Sequence, residues 1–86
     1  MSILAVFRSR SQSLDFAERL TEYGIAAETV AAPKEAKIGC GLCVRFDEKN
    51  YPRVRAVIRI GKYSTFKGFY KSEFAQGRQQ VTPYNK

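Results

Sequence analysis

The sequence predicts an α+β domain of the ferredoxin-like, split βαβ class, in which a four-stranded sheet carries two helices on one face. The chain has 86 residues, enough for one domain. Its apolar residues recur with the period of a strand or of a helix, in the order βαββαβ. We expect strands one and three to be central and parallel. The other face of the sheet is then open to water or to a partner, and the side chains expected there are Leu4, Val6, Cys43 and Phe69.

A strand and a helix begin the chain. Residues 3–7 are apolar on both faces and rich in β-forming side chains, which is typical of a central strand. Ser9 and Gln12 have the spacing of a capping box, in which each side chain accepts from the other residue's backbone N–H. Apolar residues then recur at helical spacing until Gly24, a residue that suits the end of a helix. We place the first helix at residues 11–23.

Two strands, a second helix and a last strand follow. Residues 25–31 alternate as a strand that ends before Pro33, because proline has no N–H to donate to a ladder. Residues 42–46 alternate with the same period. Residues 51–61 carry a helical apolar stripe, and residues 65–70 form the last predicted strand.

The end of the chain is polar and basic. Residues 1–71 are predicted to form the single α+β domain, and residues 72–86, which lack an apolar period, a mobile C-terminal tail. The net charge is +7, from 15 Lys and Arg against 8 Asp and Glu, and residues 62–86 hold five of these cations and one of the acids. A basic field of this kind favours acidic partners, nucleic acid among them.

Composition excludes several classes of function. The chain has no histidine, which removes the Ser-His-Asp triad and most zinc sites. No apolar run is long enough to cross a bilayer, and the first residues lack the basic segment of a secretion signal. Two cysteines cannot form the dense disulfide framework of small secreted domains. We therefore expect a cytoplasmic protein that uses no metal or cofactor and is a binding protein rather than an enzyme.

Cys40 and Cys43 are the residues best suited to chemistry, and three interpretations of them are open. A redox CxxC pair needs Cα atoms closer than about 7 Å, whereas three residues of strand span about 10 Å, so pairing requires a sharp turn. A zinc site would find at most half of its four ligands here, and a second subunit would have to supply the others. The third interpretation is a lone reactive thiol at Cys40.

Two roles fit Cys40 when it is considered alone. Gly39 and Gly41 flank it and allow unusual backbone angles and the close approach of another molecule. Lys34 and Lys37 supply positive charge, which favours a reactive thiolate. The structural alternative is a small buried apolar residue beside a tight turn, which is a common role of free cysteines.

Several short stretches together resemble a known family. They are Ser9 before the first helix, Tyr23-Gly24-Ile25, Pro33-Lys34-Glu35, and Cys40-Gly41 followed by an apolar strand with Arg45. With these stretches the chain resembles, over roughly Ile3 to Tyr70, the selenium/sulfur carrier-like family of small bacterial proteins, formerly a domain of unknown function.

The resemblance implies which loop residues form the site. Cys40 would be the family's cysteine, with the role of carrier, Gly41 the family's glycine and Pro33 the loop proline. Lys34 stands where the family usually has arginine. The spacer of residues 36–39 has no serine, unlike the usual pattern, and Cys43 is an addition in this chain.

Three hypotheses of function follow. In the first, Cys40 accepts a sulfur or selenium atom from a donor protein and passes it to an acceptor protein, as the resemblance implies. In the second, the sheet is a nucleic-acid-binding module whose aromatic residues stack on bases. In the third, the protein is a non-enzymatic interaction subunit that forms a homodimer through the open sheet face. The residues of the second hypothesis are Tyr63, Phe66, Phe69 and Tyr70 with Lys62, Lys67, Lys71 and Arg78.

Overall fold

Five strands and two α-helices follow one another in the part of the chain that the structure, a computed structural model, describes, namely residues 1–32 and 41–84. A short 3-10 turn, Glu48–Asn50, precedes the second helix. No helix within these ranges is long and apolar enough to cross a membrane. The elements are β1 Ser2–Phe7, α1 Arg10–Glu22, β2 Ala27–Ala31, β3 Leu42–Asp47, α2 Tyr51–Gly61, β4 Phe66–Ala75 and β5 Arg78–Pro83.

All strand pairs of the sheet are antiparallel, and the strand order is β2-β3-β1-β4-β5. β1 and β3 are inner strands, as predicted, but the prediction that they run parallel is wrong. The crossover through α1 joins β1 to β2, which run in the same direction without being neighbours. β3 lies between them and must therefore run opposite to both.

The sheet has five strands, one more than predicted, because the segment expected to be a polar tail adds a fifth. β4 continues to Ala75, and Gln76 and Gly77 form a turn with φ of 54° and 76°. Positive φ at both turn residues matches the type I′ turn that joins hairpin strands. β5 then pairs with β4, from Arg78 opposite Ala75 to Pro83 opposite Tyr70. Its side chains are mostly exposed, so the strand leaves no apolar period in the sequence.

The main apolar core lies between the sheet and the helices. Alternate residues of β1, which are Ile3, Ala5 and Phe7, are fully buried and belong to one cluster with the buried side chains of both helices. Both helices therefore lie on the same face of the sheet. The Phe7 ring contacts Phe16 of α1 with a centroid distance of 5.3 Å, and Tyr63 with one of 5.4 Å.

The helix-free face carries a smaller apolar cluster. Leu4, Val6 and Cys43 lie there, as predicted, and all three are buried. The prediction that Phe69 lies there is wrong. Phe69 is opposite Ala5, on the helix-covered face, and its ring contacts that of Tyr51 at 5.0 Å. Since the three residues of the smaller cluster are already buried, they do not offer an open apolar surface to a second copy of the chain.

Candidate functional site

Only part of the predicted site falls within the described residues. Gly41 is described and exposed, whereas Cys43 is described and fully buried. The roles predicted for the other five residues stay predictions. These residues, which lie outside the described ranges, are Pro33, Lys34, Lys37, Gly39 and Cys40.

The ends of β2 and β3 meet at one end of the sheet. Ala31 lies opposite Leu42 in the ladder, and the Ala32 N–H donates a hydrogen bond to Gly41 O over 2.9 Å. Gly41 has φ +87°, a conformation that residues with a Cβ atom rarely adopt. Gly41 therefore supplies the turn through which the chain passes from Cys40 into β3.

The first turn of α1 lies against the start of β3. Val6 is opposite Cys43, so β1 ends at the same end of the sheet. Ser9 then caps α1, and the buried Ser13 hydroxyl lies within hydrogen-bond distance of both Ser9 O, at 3.2 Å, and Leu42 O, at 3.3 Å. The positive end of the helix dipole is therefore next to the start of β3. We call this end of the sheet, formed by the first turn of α1 and the starts of β3 and β4, the loop edge.

Gln12 joins α1 to the start of β4 within the loop edge. Thr65 donates to Gln12 Oε1 from its backbone N–H over 3.0 Å and from its hydroxyl over 2.6 Å. Gln12 Nε2 donates to Ser64 Oγ over 3.1 Å. The predicted capping box is half formed, because Ser9 Oγ accepts from the Gln12 N–H while the Ser9 N–H donates to Thr65 Oγ1. Local spacing gave no signal for Ser64 and Thr65, which come from a distant part of the chain.

Tyr63 fastens the turn between α2 and β4 to α1. Its hydroxyl donates to Asp15 Oδ2 over 2.6 Å, and Arg19 lies over its ring, 5.6 Å from the centroid. Partial burial and the hydrogen bond to Asp15 raise the pKa of Tyr63 to about 12. The phenol therefore stays protonated, and remains a donor to Asp15, at physiological pH.

The aromatic residues of the nucleic-acid hypothesis do not share an exposed surface. Tyr63, Phe66 and Phe69 pack with the core on the helix side, whereas Tyr70 packs with the smaller cluster on the opposite face. Stacking on bases needs aromatic faces that a strand can reach together. These residues are used in packing, and the hypothesis gains no support from their arrangement.

Cys43, near the start of β3, lies on the helix-free face of the sheet. It is fully buried and packs with Leu4 and Val6. A buried thiol in such surroundings behaves as a small apolar residue. Within residues 1–32 and 41–84, no three side chains of the metal-ligating types come together. Pairing of Cys43 with Cys40 stays a prediction, because Cys40 lies outside these ranges.

The amino-acid sequence matches the model of one known protein family. Residues 2–71 match the model of the family described as "Putative Se/S carrier protein-like". The chain belongs to this family. The match confirms the predicted resemblance. In this Se/S carrier-like protein the matched region ends inside β4, and β5 lies beyond the matched region. Searches of curated proteins and of solved structures gave no match.

The described contacts of this Se/S carrier-like chain bring three separate segments to the loop edge. Ser13 connects α1 to β3, and Gln12 connects α1 to β4. Gly41, the residue after the predicted carrier cysteine, lies at the point where β3 enters this arrangement. The loop edge is therefore the described part of the fold that leads directly to Cys40 along the chain.

Proposed function

We propose that this member of the Se/S carrier-like family holds a sulfur or selenium atom on the thiolate of Cys40 and passes it to a partner protein. The observation that carries this proposal is the contact between the Ser13 hydroxyl and Leu42 O, two residues after Cys40. Through this contact the N-terminus of α1 adjoins the start of β3. A helix N-terminus favours a thiolate over a thiol. Family membership supports the same chemistry.

The proposed transfer exchanges one bond to sulfur for another without net oxidation. The Cys40 thiolate attacks the outer sulfur of a donor persulfide, the donor's S–S bond breaks, and the donor leaves as a thiolate. An acceptor thiolate then attacks the outer sulfur on Cys40, and Cys40 leaves as a thiolate in turn. A selenium atom bound to a donor sulfur would be transferred through the corresponding S–Se bond. Cys40 is regenerated after each transfer, so one protein molecule can carry one atom at a time without turnover of its own.

Gly41 and the two loop lysines have separate roles in this proposal. Among the described residues, a Cβ atom placed on Gly41 would meet no atom within 4 Å outside its own chain neighbours. Gly41 therefore leaves room on its own side for a donor or acceptor. Lys34 and Lys37 add positive charge that favours the thiolate.

We also infer the setting of the carrier. The first four strands and the two helices would form a ferredoxin-like unit within one domain, with β5 as an added edge strand. The cytoplasm, where thiols are kept reduced, suits a carrier cysteine. The donor and the acceptor would both be proteins.

Intact mass spectrometry tests the carrier function directly. The reduced protein is exposed to glutathione persulfide, and we expect one added sulfur atom in the wild type and in Cys43→Ser, but none in Cys40→Ser. Cys43→Ser is the matched control, because it removes the buried thiol and keeps the proposed one. Circular dichroism establishes that each variant is folded. An absence of adduct on the folded wild type, or an adduct at Cys43 alone, would contradict the proposal.

A further inference from the structure

Four cations lie in the segments that form the loop edge. Arg8 and Arg10 lie on either side of the Ser9 cap of α1, and Lys62 and Lys67 lie on either side of the turn into β4. All four are exposed, and we call them the cationic rim. No Asp or Glu occurs in the segments that form this edge, which are residues 8–13, 41–43 and 61–67.

Hydrogen bonds hold the two halves of the cationic rim together around the start of β3. The Arg8 N–H donates to Thr65 O over 2.9 Å, which joins the segment before α1 to the segment before β4. The first turn of α1, which begins at Arg10, reaches Leu42 O through the Ser13 hydroxyl. The positive end of the α1 dipole adds to the charge of the side chains. The edge segments therefore carry four exposed cations, and the acid in contact with them, Asp15, accepts a hydrogen bond from Tyr63.

We propose that the cationic rim is the docking surface for an acidic surface on the protein that gives or takes the carried atom. This inference rests on the proposed function of Cys40, because docking at the loop edge would bring the partner's reacting atom to that thiol. Opposite charge on the partner accelerates encounter and fixes orientation, and a partner of like charge is repelled. The rim would therefore select the donor and acceptor and would speed their encounter with the carrier.

The surface is better suited to a macromolecule than to a small anion. The described residues form five grooves with volumes from about 250 to about 460 Å³. None of these five grooves is lined by a residue of the cationic rim. A small ligand is usually held in a concave site that covers most of its surface. Charges displayed outside such grooves instead suit a partner with a broad complementary surface.

An acidic protein is favoured over nucleic acid by the packing of the neighbouring aromatic residues. Proteins that bind single strands combine basic residues with aromatic faces on which bases stack. The aromatic residues in these edge segments, Tyr63 and Phe66, both pack against Phe7, with centroid distances of 5.4 Å and 5.3 Å. The rim thus provides charge without a stacking surface beside it.

Reagents of opposite charge test the field at Cys40 in a Cys43→Ser background. We compare rates of modification by the anionic sulfonatoethyl and the cationic trimethylammonioethyl methanethiosulfonates at low ionic strength. The anionic reagent should react faster, and Arg8→Glu with Arg10→Glu should lower its rate about tenfold, within the range of electrostatic steering. Lys49→Glu with Arg78→Glu is the matched control, since it changes the net charge equally at exposed residues outside the rim. This control should leave the rate nearly unchanged.

The outcomes separate the rim from the carrier function. If the anionic reagent modifies Cys40 equally fast in the double variant Arg8→Glu with Arg10→Glu, the proposed docking role of the rim is wrong. Cys40 would still be a reactive thiol. If Cys40 is inert to both reagents in the folded Cys43→Ser protein that keeps all four rim cations, the proposed function is wrong, and the docking role of the rim is wrong with it.

Protection of Cys40 from the neutral reagent iodoacetamide tests the class of partner. We expect short polyglutamate to slow the modification, and this effect to disappear in Arg8→Glu with Arg10→Glu. Inorganic phosphate and a thymidine oligonucleotide, compared at equal ionic strength, should protect much less. Equal protection by phosphate would overturn the assignment in favour of a small anion. Stronger protection by the oligonucleotide would overturn it in favour of nucleic acid.

Discussion

At the scale of single residues, Gly41 controls how the chain enters β3 from the proposed carrier cysteine. Because its φ is +87°, Gly41→Ala should destabilise the protein by about 1–2 kcal/mol, the usual cost of a left-handed conformation for an L residue. Gly41→Asn is the matched control, since asparagine tolerates positive φ better and should lose less. Urea unfolding measures both variants. A Gly41→Ala protein as stable as the wild type would show that residue 41 is not held in this conformation.

Two tyrosines should titrate late in the folded protein. Partial burial, and next the hydrogen bond to Asp15, raise the pKa of Tyr63 to about 12. The hydrogen bond from the Tyr84 hydroxyl to Glu48, at 2.7 Å, is the main cause that raises the pKa of Tyr84 to about 12. The ordinary value is 10.0. The folded state therefore holds both protons more tightly than the unfolded state. The resulting stabilisation is present below pH 10.0 and is lost as the pH rises through about 12.

Phenolate absorbance as a function of pH measures this effect. Tyr63→Phe and Tyr84→Phe should each remove from the wild-type curve one phenol that ionises near pH 12. A high-pH region of the curve that is the same in both variants as in the wild type would contradict the two hydrogen bonds.

At the scale of elements, Gln12 holds the start of β4 against α1. Gln12→Ala removes the acceptor of both the N–H and the hydroxyl of Thr65, and should cost about 1 kcal/mol at this partly exposed site. Gln12→Glu keeps an acceptor oxygen and should retain most of the stability. Thermal unfolding compares the two. If Gln12→Ala is as stable as Gln12→Glu, the link to Thr65 does not stabilise the loop edge.

The elements also show what local patterns can and cannot predict. The second helix lies at the predicted residues 51–61, and the first is shifted by one residue, because apolar period and caps are local signals. β5 was missed because its stability comes from backbone pairing to β4 and its side chains are mostly exposed. Ser9 and Gln12 have capping-box spacing, yet Gln12 bonds to Thr65, a contact that no local spacing encodes.

For the candidate site, the resemblance to the family is confirmed. The thiol chemistry that the residue types around Cys40 predict stays a prediction. The contribution of α1 through Ser13 was not foreseen, because it depends on how the helix packs on the sheet. The placement of Phe69 on the helix side likewise depends on the pairing register of β1 with β4.

At the scale of the whole molecule, the end of the described chain closes the core. The Tyr84 N–H donates to Phe69 O over 2.9 Å, and the Tyr84 ring lies 4.8 Å from that of Tyr51. Tyr84→Ala should therefore lower the urea midpoint clearly. Phe74→Ala, at an aromatic side chain that is 78% exposed, is the matched control and should leave the midpoint nearly unchanged. Equal midpoints for the two variants would mean that Tyr84 does not contribute to the core.

The proposed carrier function depends on a reachable thiolate at Cys40, the residue that precedes Gly41. The rate at which iodoacetamide modifies Cys40 in folded Cys43→Ser protein at neutral pH tests this most directly. We expect a rate at least equal to that of glutathione under the same conditions, reaching its plateau at a lower pH, because a thiolate near a helix N-terminus persists to lower pH. A Cys40 that stays unmodified in the folded protein and reacts only after unfolding in urea would contradict the account.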